Sequence, residues 1–294
     1  MQLKITDQIG FQASSNASRP GGEEFAQRLR NAEIATLAPY ERSAKLVYNR
    51  AMVWTEHQSC RVALITGGAS GIGAACARAL ESDGLVVAAT DRHNVPFLLD
   101  VTDEHAVERA FDDVEAKLGK VSVLVTSAGT MIAPTECRPS LTQITAQAWD
   151  ETFRVNARGT FFALRALMRR RMGDPLPHGR IVTISSAAGQ TGGLRGGADY
   201  AASKAAVLAL TKLAAREAAP TGMTVNSIAP GPIETPLFRS VNPPGNDGPM
   251  LASVPLGRIG TPDEVAAAVR FLVSEAAGYI TGSVIDVNGG SRMQ

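Results

Sequence analysis

The stretch RVALITGGASGIGAACARALES, residues 61–82, decides the fold. It begins with an apolar run that favours a strand, continues through a glycine-rich turn, and ends in small and apolar residues at helical spacing. Gly67, Gly71 and Gly73 allow a tight turn and a close approach of the backbone to a ligand, and amides at the start of a helix attract an anion. The stretch therefore indicates a dinucleotide site, although its spacing G-x3-G-x-G is not the common GxGxxG.

Asp91 strengthens this interpretation, because a glycine-rich turn alone also serves ordinary packing of a strand against a helix. It ends the second predicted strand, 18 positions after Gly73. A carboxylate there accepts hydrogen bonds from the adenosine ribose hydroxyls and repels the 2′-phosphate of NADP. The glycine-rich turn and Asp91 together predict NAD as cofactor. The neighbouring Arg92 leaves NADP open, since an arginine can bind a 2′-phosphate.

Short apolar runs alternate with helix-length connections over the rest of the chain; the runs are LVVAAT, VSVLVT, GRIVTIS, MTVNSIAP and GSVIDVNG. Strands that are apolar on both faces predict a parallel sheet covered on both sides. We expect a three-layer, doubly wound, Rossmann-like α/β fold over residues 61–294, with its ligand site at the carboxyl ends of the strands. Only nine positions separate Asp91 from Asp100, so the crossover helix there should be missing or reduced to a turn.

Residues 1–60 differ in character from the rest. Two segments with helical spacing, EEFAQRLRNAEIATL and PYERSAKLVYNRAMVW, predict an N-terminal helical extension. We expect this extension to pack on the main domain or across a subunit interface, or to bind a specific partner. Translation starting at Met52 is a further alternative.

Composition limits the classes of function. The 294 residues are 45% hydrophobic and 19% charged, enough for one large core, and the net charge of +1 gives no argument for nucleic acid or an anionic membrane. No apolar run reaches the ~20 residues that span a bilayer, and the first residues lack the apolar core of a signal peptide. Cys60, Cys76 and Cys137 fit neither a disulfide framework nor a zinc site, which suggests a reducing cytoplasm, and the four histidines have no metal-ligand spacing, so we expect no metal. The arginines at 169–171 are expected at the solvated end of a helix.

Tyr200 and Lys204, in ADYAASK, lie four positions apart and hence on one helical face. A nearby cation favours the anionic form of a phenol, and a helix beginning near Asp199 should lower the phenol pKa further, although it disfavours the lysine. The pair therefore predicts an acid or base, but it could also occur by chance.

Six motifs, taken together, carry a family resemblance. TGGASGIG (66–73), TSAG (126–129), VNARG around Asn156, ISSAAG (184–189), YAASK (200–204) and PGPIET (230–235) occur in the order seen in single-domain short-chain dehydrogenases/reductases. The chain resembles this family from about residue 61 to residue 290.

The resemblance implies four catalytic residues. Tyr200 would be the general acid/base, and Lys204 would lower its pKa and hold the nicotinamide ribose. Ser186 would hydrogen-bond the substrate oxygen, and Asn156 would hold a water in a proton relay. The implied cofactor contacts are Gly67, Ser70, Gly71, Ile72 and Gly73 at the diphosphate, Asp91 at the ribose, Asp100 and Val101 at the adenine, Ala128, Gly129, Tyr200 and Lys204 around the nicotinamide ribose, and Pro230, Gly231, Ile233 and Thr235 at the carboxamide.

The chain departs from the family pattern at three points. TSAG replaces the usual Asn-Asn-Ala-Gly, which puts the support of the sheet there in doubt. Ser186 precedes Tyr200 by fourteen positions where thirteen is usual. The short connection after Asp91 trims the adenine end.

These features lead us to expect an NAD-dependent oxidoreductase that interconverts a secondary alcohol and a ketone, assembled as a homotetramer or homodimer. An enoyl reductase usually spaces its tyrosine and lysine seven apart, and an epimerase usually has a larger C-terminal region. A catalytically silent NAD sensor or scaffold and an NADP-preferring 3-oxoacyl-type reductase remain alternatives. The substrate loops include Leu194, Arg195, Leu237 and Phe238, and residues 241–249 resemble a substrate lid or are an ordinary loop.

Overall fold

A computed structural model describes residues 61–132, 139–193 and 196–293. The predicted extension over residues 1–60 lies outside the described residues, as do Leu194 and Arg195 of the substrate loop. Among the described residues, no helix combines the length and the apolar character needed to cross a membrane.

The described residues form one seven-stranded sheet in which every neighbouring pair is parallel. The strands are β1 (Val62–Thr66), β2 (Val86–Asp91), β3 (Phe97–Leu98), β4 (Val121–Thr126), β5 (Arg180–Ile184), β6 (Thr224–Pro230) and β7 (Val284–Val287). Their order in the sheet is β3-β2-β1-β4-β5-β6-β7. The order reverses direction between β1 and β4, so the predicted doubly wound fold is confirmed and a crevice opens at the carboxyl ends of these strands.

Helices cover both faces of the sheet. They are α1 (Gly71–Ser82), α2 (Glu104–Leu118), α3 (Ala146–Phe153), α4 (Thr160–Met172), α5 (Ala188–Thr191), α6 (Ala198–Ala218), α7 (Pro236–Val241), α8 (Gly248–Leu251) and α9 (Pro262–Val273). One π-helical turn, Arg154–Gly159, joins α3 to α4. Such turns often accompany functional sites.

Strand β1 shows why a continuous apolar run was needed. Val62 and Leu64 belong to the core on the side of α2, α4 and α6, whereas Ala63 and Ile65 belong to the core on the side of α1 and α9. Successive side chains of a strand point to opposite faces, so both sets are buried. The two cores hold the sheet rigid between its helical layers.

Side-chain caps set several helix starts. The Asp103 carboxylate accepts hydrogen bonds from two amides at the start of α2, and Thr261 and Glu264 form a capping box at α9. Each cap satisfies amides that have no partner within the helix. Thr235 does the same for α7, which places this helix directly after the predicted carboxamide segment.

The connection from β2 to β3 contains no helix over residues 92–96, all of which are described. The prediction of a missing crossover helix is therefore confirmed. Strand β3 is only two residues long and pairs Phe97 with Thr90 and Leu98 with Asp91. The sheet therefore ends in a very short edge strand, and Asp100 follows it by two positions at the crevice.

The prediction that the arginines at 169–171 are all solvated is wrong. Arg171 is only 2% exposed and forms ion pairs with Glu115 and Asp174. Arg170 pairs with Glu108 at 2.6 Å, which ties α4 to α2. These arginines are engaged in packing, because α2 places carboxylates opposite them.

Candidate active site

A cavity of about 480 Å³ lies at the carboxyl ends of the strands. Sixteen of the eighteen predicted site residues line it; they are Gly67, Ser70, Gly71, Ile72, Asp91, Asp100, Val101, Ala128, Gly129, Ser186, Tyr200, Lys204, Pro230, Gly231, Ile233 and Thr235. Gly73 and Asn156 do not line it. The sequence thus identified the residues that the fold brings together here, while the role of each stays a prediction.

The glycine-rich turn is shaped by backbone contacts that leave no space for side chains. Gly67 has a φ of +71°, and a Cβ there would lie 2.6 Å from the Ala128 amide nitrogen. A Cβ on Gly73 would lie 2.1 Å from the Gly67 carbonyl oxygen. Gly73 therefore permits close packing of α1 behind the turn rather than lining the cavity, and the turn presents its backbone to whatever binds there.

Asp91 lies beside this turn, at the end of β2. Its carboxylate accepts a hydrogen bond from the Ala69 amide at 3.2 Å and one from the Arg92 amide at 2.7 Å. The side chain is thus fixed by the backbone at the mouth of the cavity. This is where a ribose hydroxyl would meet it.

The predicted adenine end contains more charge than the motifs indicated. Burial raises the pKa of Asp100, but hydrogen bonds from the amide and hydroxyl of Thr102, together with the charges of Arg154 and Arg92, outweigh it and lower that pKa. Arg154 donates to the Thr102 hydroxyl at 2.6 Å and pairs with Glu151 at 2.8 Å. The sequence interpretation missed Arg154 and Glu151, although their spacing of three on a helix was the available signal.

Tyr200 lies in the first turn of α6, which starts after the cap residue Gly197. Burial raises the pKa of the phenol above its usual value, and a hydrogen bond with the Ser186 hydroxyl partly opposes this rise. The Ser186 oxygen also accepts a hydrogen bond from the Ala188 amide at 3.1 Å. Two oxygen-bearing side chains, one from the end of β5 and one from α6, therefore face the same part of the cavity.

Lys204 is almost fully buried one turn further along α6. Its Nζ donates a hydrogen bond to the Ile184 carbonyl oxygen at 3.0 Å and lies 6.0 Å from the centre of the Tyr200 ring. Burial lowers the pKa of the ammonium to about 8. The expectation of a lowered phenol pKa is wrong for this arrangement, because burial disfavours the phenolate more than the Ser186 hydroxyl favours it.

Asn156 lies in the π-helical turn and is fully buried behind the cavity wall. Its side-chain oxygen accepts from the Thr130 amide at 2.7 Å, and its Nδ2 donates to the Thr130 carbonyl at 2.9 Å and to Ser203 Oγ at 3.0 Å. A Cβ on Gly129 would lie 3.4 Å from both Asn156 Oδ1 and Lys204 Nζ. The asparagine amide and the lysine ammonium thus approach the same backbone position.

The first departure from the family pattern leaves the contact between β4 and β1 in place. In the TSAG segment the Ser127 amide donates to the Thr66 carbonyl at 3.1 Å, and the Ala128 amide donates to the Thr66 hydroxyl at 3.3 Å. Backbone amides thus still join β4 to β1. The fourteen-position interval before Tyr200 contains the short helix α5, which ends at Gly192 in a left-handed conformation.

The segment after β6 closes the cavity from the other side. The Ala187 amide donates to the Pro230 carbonyl at 2.9 Å, and the Gly231 amide donates to the Val287 carbonyl at 3.0 Å. A Cβ on Gly71 would lie 3.2 Å from Thr235 Cγ2, so the glycine-rich turn and the start of α7 are in close proximity. Leu237 and Phe238 of α7 also line the cavity, as the sequence predicted.

Within the described residues, no group of three or more His, Cys, Asp or Glu side chains could hold a metal ion. Cys60 and Cys137 lie outside those residues, and Cys76 is buried in α1.

Comparisons with known proteins agree with the fold. A family model described as enoyl-(acyl carrier protein) reductase matches residues 67–292. The chain is 37% identical over 248 residues to the 3-oxoacyl-[acyl-carrier-protein] reductase FabG of Escherichia coli (strain K12), covering 79% of this chain and 98% of that protein. It is 40% identical over 247 residues to acetoacetyl-CoA reductase of Rhizobium meliloti (strain 1021), covering 78% and 98%. The crystal structure of a 3-oxoacyl-[acyl-carrier protein] reductase from Brucella melitensis matches with a TM-score of 0.72 and 30% identity, covering 80% of this chain and 92% of that chain.

Proposed function

The chain belongs to the short-chain dehydrogenase/reductase family of oxidoreductases acting on CH–OH groups, and we propose that it uses NAD to interconvert a secondary alcohol and a ketone. The observation that carries this proposal is the convergence on one cavity of the glycine-rich turn, Ser186, Tyr200 and Lys204. A binding protein without chemistry has no need of a phenol and a hydroxyl that face one cavity beside a buried ammonium.

The residues present fit a dinucleotide. The turn at Gly67 and Gly73 excludes any Cβ by backbone contact, so it offers its amides to a diphosphate at the start of α1. Asp91 would bind the adenosine ribose and Lys204 the nicotinamide ribose; that both line this cavity supports these roles. When bound, the nicotinamide supplies or accepts the hydride.

The chain's own side chains perform the proton chemistry. In the reductive direction, Tyr200 Oη donates a proton to the substrate oxygen as negative charge develops on it, and the Ser186 hydroxyl donates a hydrogen bond to the same oxygen. Burial keeps the phenol protonated at neutral pH, which suits an acid. In the oxidative direction, Tyr200 must first lose its proton, and we propose that Lys204 and Asn156 take part in its transfer; their approach to one backbone position at Gly129 supports this.

The proposed preference for NAD over NADP rests on Asp91. Its carboxylate stands where a 2′-phosphate would be repelled, and it is fixed there by the Ala69 amide. Arg92 argues in the other direction, but its charge acts on both Asp100 and Glu151. Because Asp91 contacts the glycine-rich turn through the Ala69 amide, we give its carboxylate more weight than Arg92.

For the substrate, we propose a 3-oxoacyl thioester. The names of the relatives in Escherichia coli and Rhizobium meliloti specify 3-oxoacyl and acetoacetyl thioesters. The cavity wall formed by Leu237, Phe238, Val241 and Met250 is apolar and suits an acyl chain. The spacing of four between Tyr200 and Lys204 favours ketone reduction over enoyl reduction within this family.

We also propose that the protein acts in the cytoplasm as a homotetramer or homodimer. Phe161 and Leu213, which are 38% and 52% exposed, line one open groove with Phe153, against which Trp149 stacks at 4.8 Å. Large apolar side chains that share one face are typical of a surface covered by a partner.

The proposal is tested by calorimetric titration of the full chain with NADH and, separately, with NADPH, followed by turnover of acetoacetyl-CoA with the preferred cofactor. Tighter binding of NADH and consumption of NADH by acetoacetyl-CoA are expected. Tighter binding of NADPH would refute the preference for NAD. Binding of a cofactor without turnover of acetoacetyl-CoA, or of simple secondary alcohols and ketones, would refute the proposed reaction.

A further inference from the structure

A single arginine joins both ends of helix α7. Arg239 Nε and Nη2 donate to the two carboxylate oxygens of Glu234, at 2.7 and 2.5 Å. Its Nη1 and Nη2 donate to the two carboxylate oxygens of Asp247, at 2.7 and 3.2 Å. Nη1 also donates to the Asn242 carbonyl at 3.2 Å. These contacts use all five N–H bonds of the guanidinium.

The partners of Arg239 come from before and after the helix. Glu234 precedes α7, Asn242 follows its last residue, and Asp247 precedes α8. The Asn242 side chain is buried and donates to the Asp247 carboxylate at 2.5 Å. Arg239 thus closes residues 234–247 into a ring, and we call these four side chains the Arg239 cluster.

The hydrogen bonds of the Arg239 cluster join a cation to two carboxylates. The hydrogen bond with Arg239 lowers the pKa of Glu234, so this carboxylate stays ionised well below neutral pH. The side chains of Arg239 and Asp247 are 21% and 24% exposed. An exposed ion pair contributes little stability, whereas a planar arginine fork bound by two carboxylates fixes a geometry. The cluster is therefore better suited to positioning than to stabilising the fold.

The ring holds residues of the candidate active site. Glu234, which the guanidinium binds, directly precedes Thr235, and Thr235 lies against Gly71 of the glycine-rich turn. The guanidinium lies 5.0 Å from the centre of the Phe238 ring, and Phe238 and Leu237 line the cavity. Arg239 itself does not line it. The ring thus joins the predicted carboxamide segment to the substrate wall.

We propose that Arg239 is a positioning residue that fixes Thr235 for the cofactor and α7 for the substrate by bridging Glu234 and Asp247. The proposal rests on the proposed function, because it assigns a purpose to the geometry of that same cavity. It predicts that loss of the fork weakens binding of both cofactor and substrate without removing a reacting group.

The test compares Arg239→Gln and Arg239→Lys with wild type and with Arg270→Gln. Arg270 pairs with Asp83 and joins α9 to α1, so its variant also loses an arginine–carboxylate pair, but one outside the cavity. The readouts are the Kd of NADH and of NADPH by calorimetry, kcat and KM for acetoacetyl-CoA, and the melting temperature. Binding is measured at a temperature where every variant is fully folded.

We expect residues 234–247 of Arg239→Gln to adopt the binding-competent arrangement for about one tenth of the time, which raises the cofactor Kd about tenfold. The KM for acetoacetyl-CoA should rise as well, whereas kcat should change less. Arg239→Lys should not recover wild-type binding, because an ammonium cannot reproduce the fork. Arg270→Gln should match wild type in Kd and KM.

Three outcomes would overturn the role of Arg239. They are a Kd in Arg239→Gln equal to that of Arg270→Gln, a lowered melting temperature with unchanged Kd and KM, and full recovery in Arg239→Lys. Wild-type protein that binds neither cofactor would overturn the proposed function together with this one. Normal wild-type binding combined with any of the three would overturn the Arg239 role alone.

Discussion

The Nζ of Lys204 donates a hydrogen bond to the carbonyl oxygen of Ile184 at 3.0 Å, so the ammonium is directed at the end of β5. This contact satisfies a buried charge that has lost its water, but only in part, and the pKa of the lysine falls to about 8. The ammonium is therefore held at a cost in stability. Its retention at this point of the cavity fits a role in function.

The cost of Lys204 should appear as a pH dependence of stability. The folded pKa of about 8 lies below the ordinary 10.5, so between these values the unfolded chain binds more protons than the folded chain. The contribution of this lysine to the free energy of unfolding must then rise with pH across that window, by on the order of 3 kcal/mol. Lys204→Met lacks this slope.

Urea unfolding at pH 8 and at pH 10 measures the effect. The stability of Lys204→Met relative to wild type should decrease as the pH rises. Lys212→Met, on the exposed face of the same helix, shows how much of any slope follows from removing a lysine of this helix. An equal difference between Lys204→Met and wild type at both pH values would contradict the buried charge.

Ser186→Ala should slow turnover and shift its pH dependence. The hydrogen bond with Ser186 opposes the rise of the Tyr200 pKa, so its loss raises that pKa further. Alcohol oxidation, which needs the phenolate, should then require higher pH, and kcat should fall by roughly 10²-fold, as on losing one donor to a developing oxyanion. The pH profile of kcat for alcohol oxidation tests this, with Ser82→Ala on α1 as the control. An unshifted profile in Ser186→Ala would show that Ser186 does not influence the pKa of Tyr200.

Asp91→Ala should relax the choice of cofactor. Removing the carboxylate removes repulsion of a 2′-phosphate while Arg92 remains, so the ratio of the NADPH to the NADH Kd should shrink by about tenfold or more. Calorimetry with both cofactors measures the ratio, and Asp113→Ala on the exposed face of α2 is the matched control. If the ratio is unchanged, another residue sets the preference.

Gly73→Ala should weaken NADH binding although Gly73 does not line the cavity. Its new Cβ would lie 2.1 Å from the Gly67 carbonyl oxygen, so the backbone of the turn must move. Loss of one hydrogen bond to a charged diphosphate costs about 1.5–3 kcal/mol, so we expect a Kd for NADH at least about tenfold higher. Gly173→Ala, with no heavy atom within 4 Å of its Cβ position, should bind as wild type does. Normal NADH binding by Gly73→Ala would exclude the turn as the diphosphate site.

The sequence predicted the sheet and its crevice well, since these depend on local patterns. Strand β1 is buried on both faces and reads as a continuous apolar run, and the turn at Gly67 admits only glycine because of the backbone of Ala128. The short connection after Asp91 could be foreseen from a count of residues. Such features depend on residues that are close together in the sequence, so they can be predicted without knowing the tertiary structure.

Features that depend on distant contacts were not predicted. The direction of the Tyr200 pKa depends on how deeply the fold buries the phenol, because burial raises that pKa and the Ser186 hydroxyl only partly opposes the rise. The burial of Arg171 depends on Glu115 in another helix. The ring closed by Arg239 depends on how a loop folds back on itself. None of these has a periodic signal, so only the tertiary structure reveals them.

The most direct measurement of the central claim is the turnover of acetoacetyl-CoA by Tyr200→Phe, together with its affinity for NADH. Removing the hydroxyl removes the acid that protonates the substrate oxygen, so kcat should fall by about 10²- to 10⁴-fold while the Kd of NADH stays within about twofold of wild type. Tyr279→Phe, at a fully exposed tyrosine, should behave as wild type in both. Substantial residual turnover by Tyr200→Phe would contradict the role assigned to the phenol.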